Sequence, residues 1–566
     1  MADRSTALLL RCVRAAGGWA VLLAVSCLAG AAAQLALPAL LGRAVDAVLT
    51  PGRSSAWWLG AVVVLVLVAA AGEVLSDLAA GAGTARATRR LRHLLLDRLL
   101  GMPPAAVRRY PAGDLVTRMV SQATDAGTAA TAVILGVASA LPPVGSLVAL
   151  TLIDPWLSGA LVLGMLLTAV LLRGFAREAS GAARGYQRVQ GDIAGRLVEA
   201  LAGRRTIAAA GTTGTELARV LRPLPELHEH GRATWQALAV AAGRTALLGP
   251  LGQIGVLITG GLLLTGGRLT PGELLAALQY AALGAGLGAL LSTLNRLVRA
   301  RTGAGRAAEI LAGPPLRHGG RALPDGPGEL RLRGVTVRSG SGTVLDRIDL
   351  TVPGGTALAV VGRSGAGKST LAAVAGRLCD PDAGAVLLDG VPLPELSRAA
   401  LAAAIGYGFE RPFLLGDRIH DVIALDRPGT AGGFVGAAAA TAAIDDYIDR
   451  LPRGRCTPLA DAPMSGGEAQ RLGLARALYG SRLLILDDAS SSLDSATEAR
   501  ITGALTRPAD GRTRLLVTHR RTVAQRCDLV AWLAGGRLLA LAPHAELWTD
   551  PAYRALFAAE SAGVGA

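Results

Sequence analysis

Six apolar stretches of about bilayer-crossing length constrain this chain more than any other feature. They run near residues 18–42, 57–78, 128–153, 156–173, 247–266 and 272–294, and a helix needs ~20 mostly apolar residues to span the hydrocarbon core. The third and fourth are divided only by Asp154-Pro155, a tight turn signal. Hydrophobic residues make up 51% of the 566 and the mean hydropathy is +0.43, values of a membrane protein rather than a soluble enzyme. The expected architecture is multi-domain: an all-α six-helix transmembrane domain over 1–311, a Gly/Pro-rich linker over 312–327 and an α/β domain over 328–566. Arg4, Arg11 and Arg14 ahead of the first apolar run also resemble a cleavable secretion signal. That reading leaves five more spans unexplained and would carry a phosphate-binding domain away from ATP.

The formal charge of +15 raises the question of nucleic acid. Aromatic residues are only 3% of the chain, too few for base stacking, and the arginines lie between the apolar runs. No nucleic-acid partner is expected. The segment between the second and third spans carries Arg86, Arg89, Arg90, Arg92, Arg98, Arg108, Arg109 and Arg118, and the segment between the fourth and fifth is similarly basic. The alternate connections are short and nearly free of basic residues, so the positive-inside rule places both long segments and both termini in the cytoplasm. Leu91, Leu94, Leu95 and Leu99 recur at helical spacing, which predicts that the spans continue below the bilayer as long helices. Five scattered cysteines without a CxxC pair support neither a disulfide framework nor a zinc site.

The texture changes near Gly328, where short β-type runs begin. After the apolar run 358–361 stands Gly362-Arg363-Ser364-Gly365-Ala366-Gly367-Lys368-Ser369-Thr370, and an apolar helical pattern follows. This is the G-x-x-x-x-G-K-[ST] loop in its strand-to-helix context. Its glycines let backbone N–H groups close on phosphate oxygens, Lys368 reaches the β- and γ-phosphates of ATP, and Ser369 binds Mg²⁺. Of 57 basic residues Lys368 is the single lysine. A chain that otherwise uses arginine keeps the compact ammonium where a broad planar fork would not fit. A second apolar run, 483–486, ends in Asp487-Asp488, the first of which is placed to hold the metal. Ser492-Leu493-Asp494 follows, and the run 515–517 leads to Thr518-His519, a position suited to sensing the γ-phosphate.

Met464-Ser465-Gly466-Gly467-Glu468, followed by Ala469-Gln470-Arg471, closely resembles the LSGGQ signature of ABC transporters. Leu37-Pro38, Leu41-Gly42 and Asp46, the run Gly113-Asp114-Leu115-Val116-Thr117-Arg118, and Glu199 through Gly203 look like landmarks of the type IV exporter membrane domain. The resemblance covers nearly the whole chain and implies an ATP-driven exporter half in the bacterial cytoplasmic membrane. Two ATPase domains would sandwich ATP between one chain's P-loop and the other's signature (Ser465, Gly466, Gly467, Glu468), with Asp494 in the D-loop. Closure would push on intracellular coupling segments near residues 107–114 and 198–207.

Departures from the family pattern are informative. Asp488 stands where the catalytic glutamate is expected, one methylene short, and reach matters because ~1 Å of displacement costs on the order of 10²-fold. Glu410 replaces the glutamine that helps hold Mg²⁺. Val337-Arg338-Ser339 offers no ring where the family stacks adenine, which leaves Arg338 to stack. A weakened own site beside an intact signature resembles the degenerate-site subunit of a heterodimeric exporter, with a slow homodimer, a nucleotide-gated regulator or a lipid flippase as alternatives. Spans rich in Ala, Leu, Val and Gly point to amphipathic or hydrophobic cargo. The cytosolic half is similar to exporters found beside modified-peptide clusters of high-GC bacteria, so a small peptide such as a lanthipeptide leads over drug-like metabolites.

Overall fold

The computed structural model describes the backbone of all residues except 1, 51–55, 285–287, 340–341, 426–431, 481, 492, 507–510 and 563–566. Side chains are described for these except 2–5, 167–184, 237–238, 241–242, 244–251, 288–292, 294, 432, 495 and 558–562. Parts of the fourth, fifth and sixth expected spans, and Ser492, therefore lie outside the described residues. The chain divides into two compact units, one of residues 1–98 and 111–312, the other of 99–110 and 313–566.

The first unit is helical throughout. Among the described residues three helices are long and apolar enough to cross a membrane: Gly18–Leu49, Ala56–Gly101 and the stretch Ala112–Ile153. Pro155–Ala202 and Leu224–Thr265 run 48 and 42 residues, and within their described parts the apolar segments are Pro155–Leu166 and Gly252–Thr265. Pro271–Gly284 and Gly288–Ala312 follow. At ~1.5 Å per residue, helices of this length far exceed what a bilayer requires.

The sequence landmarks acquire physical reasons here. A Cβ on Gly42 would lie 2.5 Å from the Gly272 carbonyl oxygen, so two helices meet at backbone distance. Asp46 then fixes that junction by accepting from the Thr270 hydroxyl at 2.7 Å and from the Gly272 N–H at 2.8 Å. Asp154 caps the helix after the tight turn, accepting from the Trp156 N–H, and pairs with Arg268 at 2.6 Å. Arg118 is buried at the start of a π-turn, Arg118–Gln122, where it donates to Asp114 at 2.8 Å, Glu309 at 2.7 Å and the Arg306 carbonyl at 2.9 Å. Glu199 pairs with Arg219 at 3.0 Å.

The expected first coupling segment, 107–114, is not one element. Short helices Pro104–Val107 and Ala112–Thr117 flank it. Pro111 lacks an N–H and biases the residue before it away from the helical region, so the chain breaks there and restarts. The helix Arg204–Ala210 begins after Gly203 and ends at left-handed Gly211.

The second unit is α/β. Its strands are β1 (Leu330–Ser339), β2 (Gly342–Val352), β3 (Ala357–Val361), β4 (Ala383–Leu388), β5 (Val391–Pro392), β6 (Ile405–Phe409), β7 (Leu483–Asp487), β8 (Thr513–Val517), β9 (Leu529–Ala534) and β10 (Arg537–Ala542). A small antiparallel sheet has the order β2-β1-β4-β5, and the main sheet is β10-β9-β3-β8-β7-β6, parallel from β9 to β6. All five residues of β3 are buried, and alternate side chains enter different cores: Ala357, Ala359 and Val361 on one face, Leu358 and Val360 on the other. That is why the strand reads as a continuous apolar run with no polar alternation.

Candidate nucleotide site

The strand order decides what meets. Because β3, β8, β7 and β6 lie side by side and parallel, their C-terminal ends bring the P-loop, Thr518-His519, Asp487-Asp488 and Glu410 to one edge, although up to 157 positions separate them in sequence. Ligands of open α/β sheets bind outside such strand ends.

The loop conformation requires its glycines. Gly365 and Gly367 have φ of +81° and +98°, and a Cβ on Gly367 would sit 2.9 Å from the Val344 carbonyl oxygen. The helix Lys368–Ala375 begins directly after, pointing its free N–H groups at the loop. Lys368 is buried, its ammonium donating to the Gly362 carbonyl at 2.9 Å and the Arg363 carbonyl at 3.1 Å. Burial pulls its pKa below the ordinary lysine value, and the Asp488 and Asp487 carboxylates partly oppose that.

Ser369 donates its hydroxyl to Asp487 Oδ1 at 2.9 Å. Ligands on one edge of a Mg²⁺ octahedron, each ~2.1 Å from the ion, are about 3 Å apart, so the two oxygens have the spacing of neighbouring ligands. Asp487 has its pKa raised, first by burial, with Asp488 and Glu410 adding repulsion against the help of Ser369 and Lys368. A desolvated carboxylate among carboxylates calls for a cation, and the donor set is hard oxygen, which suits Mg²⁺. No cluster of three or more His, Cys, Asp or Glu able to hold a metal occurs among the described residues.

Asp488 adopts φ of +49°, uncommon for a residue with a side chain, and its carboxylate lies 3.0 Å from His519 Nε2. Glu410 is exposed and lies 3.9 Å from the Arg411 guanidinium. Arg338 is exposed at the end of β1, its N–H donating to Asp382 at 2.6 Å.

The signature residues sit at the start of the helix Gly466–Ala477. Ser465 is the N-cap: its hydroxyl accepts from the Glu468 N–H at 3.3 Å, and the Glu468 carboxylate accepts from the Ser465 N–H at 2.7 Å and hydroxyl at 2.8 Å. This reciprocal capping holds the Glu468 pKa below the usual carboxylate value, chiefly through the Ser465 N–H. Asp494 caps the helix Ser495–Leu505, accepting from the Ala496 and Thr497 N–H groups.

Sequence reasoning missed two ties. Buried Gln470 donates to the Glu410 carbonyl at 2.7 Å and the Ser491 hydroxyl at 3.0 Å, linking the signature helix to the ends of β6 and β7. Arg520 pairs with buried Glu498 and donates to the carbonyls of Ser491 and Leu493, fixing the segment before Asp494. A glutamine and a glutamate on the buried faces of their helices are the only signals that could have shown this.

A glycine-rich loop between a strand and a helix, with an aspartate and a histidine at the ends of neighbouring parallel strands, is the arrangement of the P-loop class of ATPases, here sharing a chain with membrane-length helices. Residues 20–285 match the family described as ABC transporter transmembrane region, and residues 345–491 match the ABC transporter family. The ABC transporter ATP-binding protein RamA of Streptomyces coelicolor is 46% identical over 545 residues, covering 95% of this chain and 85% of that protein. The ATP-dependent lipid A-core flippase of Chromohalobacter salexigens is 30% identical over 539 residues, 93% of each chain. A solved bacterial Atm1-family ABC exporter with ATP bound superposes with a TM-score of 0.77 at 25% identity, covering 96% of this chain and 98% of that one. The chain belongs to the ABC transporter family as an exporter half-transporter of the type IV fold, a multi-pass membrane protein that binds ATP and couples its hydrolysis to transport as part of a dimer.

Proposed function

We propose that this chain is the degenerate-site half of a heterodimeric exporter in the bacterial cytoplasmic membrane, with both termini cytoplasmic. The membrane domain comprises 1–311 with six spans, the linker 312–327 and the ATPase 328–566. Gly362 through Thr370 cradle the phosphates, Lys368 neutralises the β- and γ-oxygens, and Ser369, Asp487 and Glu410 hold Mg²⁺. The bound ion neutralises phosphate charge. Asp488 and His519 face the attacking water and the γ-phosphate, and Ser465, Gly466, Gly467 and Glu468 close over the partner's ATP with Asp494 at the seam.

One observation carries the asymmetry. The residue after Asp487 is an aspartate, held at positive φ and engaged by His519 at 3.0 Å, whereas the signature is intact and capped. Polarising water depends on reach, and the shorter side chain supplies less of it. The cargo is amphipathic, with a small modified peptide such as a lanthipeptide as the leading candidate. A second reading is a homodimer that exports lipidic metabolites, and the flippase relative favours its cargo class.

The two readings separate in a reconstituted dimer. In a heterodimer, Gly467→Asp disables the sound site and lowers ATP turnover about 100-fold, while Asp488→Asn changes it less than about twofold. Equal losses from the two variants would favour the homodimer.

A further inference from the structure

An open cavity of about 640 Å³ is formed by the membrane unit, lined by segments of five helices. Two features mark it as more than a packing defect. First, Glu73 and Asp77, one helical turn apart, both line it, and among the described residues neither has a cation within ion-pair distance. Ionisable groups within a membrane domain are costly and belong to functional paths. Second, three prolines stand inside the surrounding helices, Pro38, Pro142 and Pro143. Proline has no N–H, so none of them donates to the carbonyl four residues earlier. Those carbonyls belong to Gln34, Ala138 and Ser139, and all three residues line this same cavity. Backbone acceptors deprived of their helical partners are tolerated at membrane depth where they face water or a ligand.

The lining residues thus include the three that carry these carbonyls, and two carboxylates against the single guanidinium of Arg296 leave it with one formal negative charge. The walls between these groups are apolar, among them Leu135 and Leu283. Ser76 donates to Ser26 at 3.0 Å, which ties the helix bearing the carboxylates to its neighbour and fixes their position. We propose that this cavity binds the cationic group of an amphipathic cargo, a primary ammonium or guanidinium carried on an apolar body, with Glu73 and Asp77 as counter-charges and the proline-released carbonyls as further acceptors. The inference rests on the exporter reading and adds the chemistry of what is exported.

The test uses the full chain in phosphatidylcholine nanodiscs and two fluorescent probes of matched apolar body, pyrenylbutylammonium and pyrenylbutanoate, with empty discs subtracted. The ammonium should bind about tenfold more tightly, the scale of one charge-assisted hydrogen bond. Combined Glu73→Gln and Asp77→Asn should erase the preference, and Arg296→Gln should widen it. General damage to the bundle cannot produce both effects. Equal binding of the two probes, or a preference that survives loss of both carboxylates, overturns the proposal. A fluorescent ATP analogue on the same discs separates the claims. Nucleotide binding without amine selectivity sinks the cavity assignment alone, and amine selectivity without nucleotide binding sinks the exporter reading alone.

Discussion

Lys368 shows how far one residue type can be read. Its uniqueness in the sequence pointed to a pocket that excludes arginine, and the structure finds it buried with its ammonium turned back onto the Gly362 and Arg363 carbonyls. A single lysine with a lowered pKa also gives a clean chemical handle. An amine-reactive reagent should modify Lys368 and the α-amino group alone, and Mg-ATP should protect Lys368, as peptide mass mapping would reveal. The sign of the pH effect follows from the direction of the shift. Between the lowered folded value and 10.5, the unfolded chain holds more of this proton, so the empty site gains stability as pH rises through that window. Affinity for Mg-ATP, which needs the ammonium, falls through the same window, and titrating nucleotide binding from neutral to alkaline pH checks it. Other site residues were legible as types but not as geometry. Asp488 was recognisable as one methylene short, but its positive φ and its contact with His519 depend on β7 and β8 being neighbours.

At the scale of elements, apolar runs and punctuation indicated a helical membrane domain, because a long apolar run in a membrane has no other way to satisfy its backbone. The break around Pro111 was written in the residues and still read as part of one segment. The Arg118 network was not legible, since Glu309 is 191 positions away and nothing local signals the partnership. Truncating a buried partner leaves the Asp114 and Glu309 carboxylates without their shared counter-charge. Arg118→Leu should therefore cost about 2 kcal/mol, less than a fully buried pair because Glu309 is 41% exposed. Thermal unfolding of the purified chain measures it, and a change within experimental error would show the network to be dispensable. The Ser465–Glu468 capping pair belongs to this scale too: the motif reads as a signature, and its local job is to begin a helix.

The chain belongs to a family whose exporters act as dimers, and on the proposed reading the nucleotide carried by this P-loop is closed by a signature from another chain. Nanodiscs that enclose one copy should bind ATP with little turnover, and discs that enclose two complementary halves should restore it. Turnover that is the same in both would remove the dimer from the catalytic cycle.

Residue chemistry with local spacing was enough to establish the membrane class and to propose the phosphate loop, the signature and the departures at 410 and 488. These depend on composition and on contacts within a turn or two of chain. Tertiary structure alone decided which distant groups meet. Parallel strand order gathers Lys368, Asp487, Asp488 and His519 at one sheet edge, and helix packing sets two acidic residues and the three residues four positions before the prolines around one cavity. Such meetings arise from side-chain burial summed over the whole fold, which no single stretch of sequence encodes.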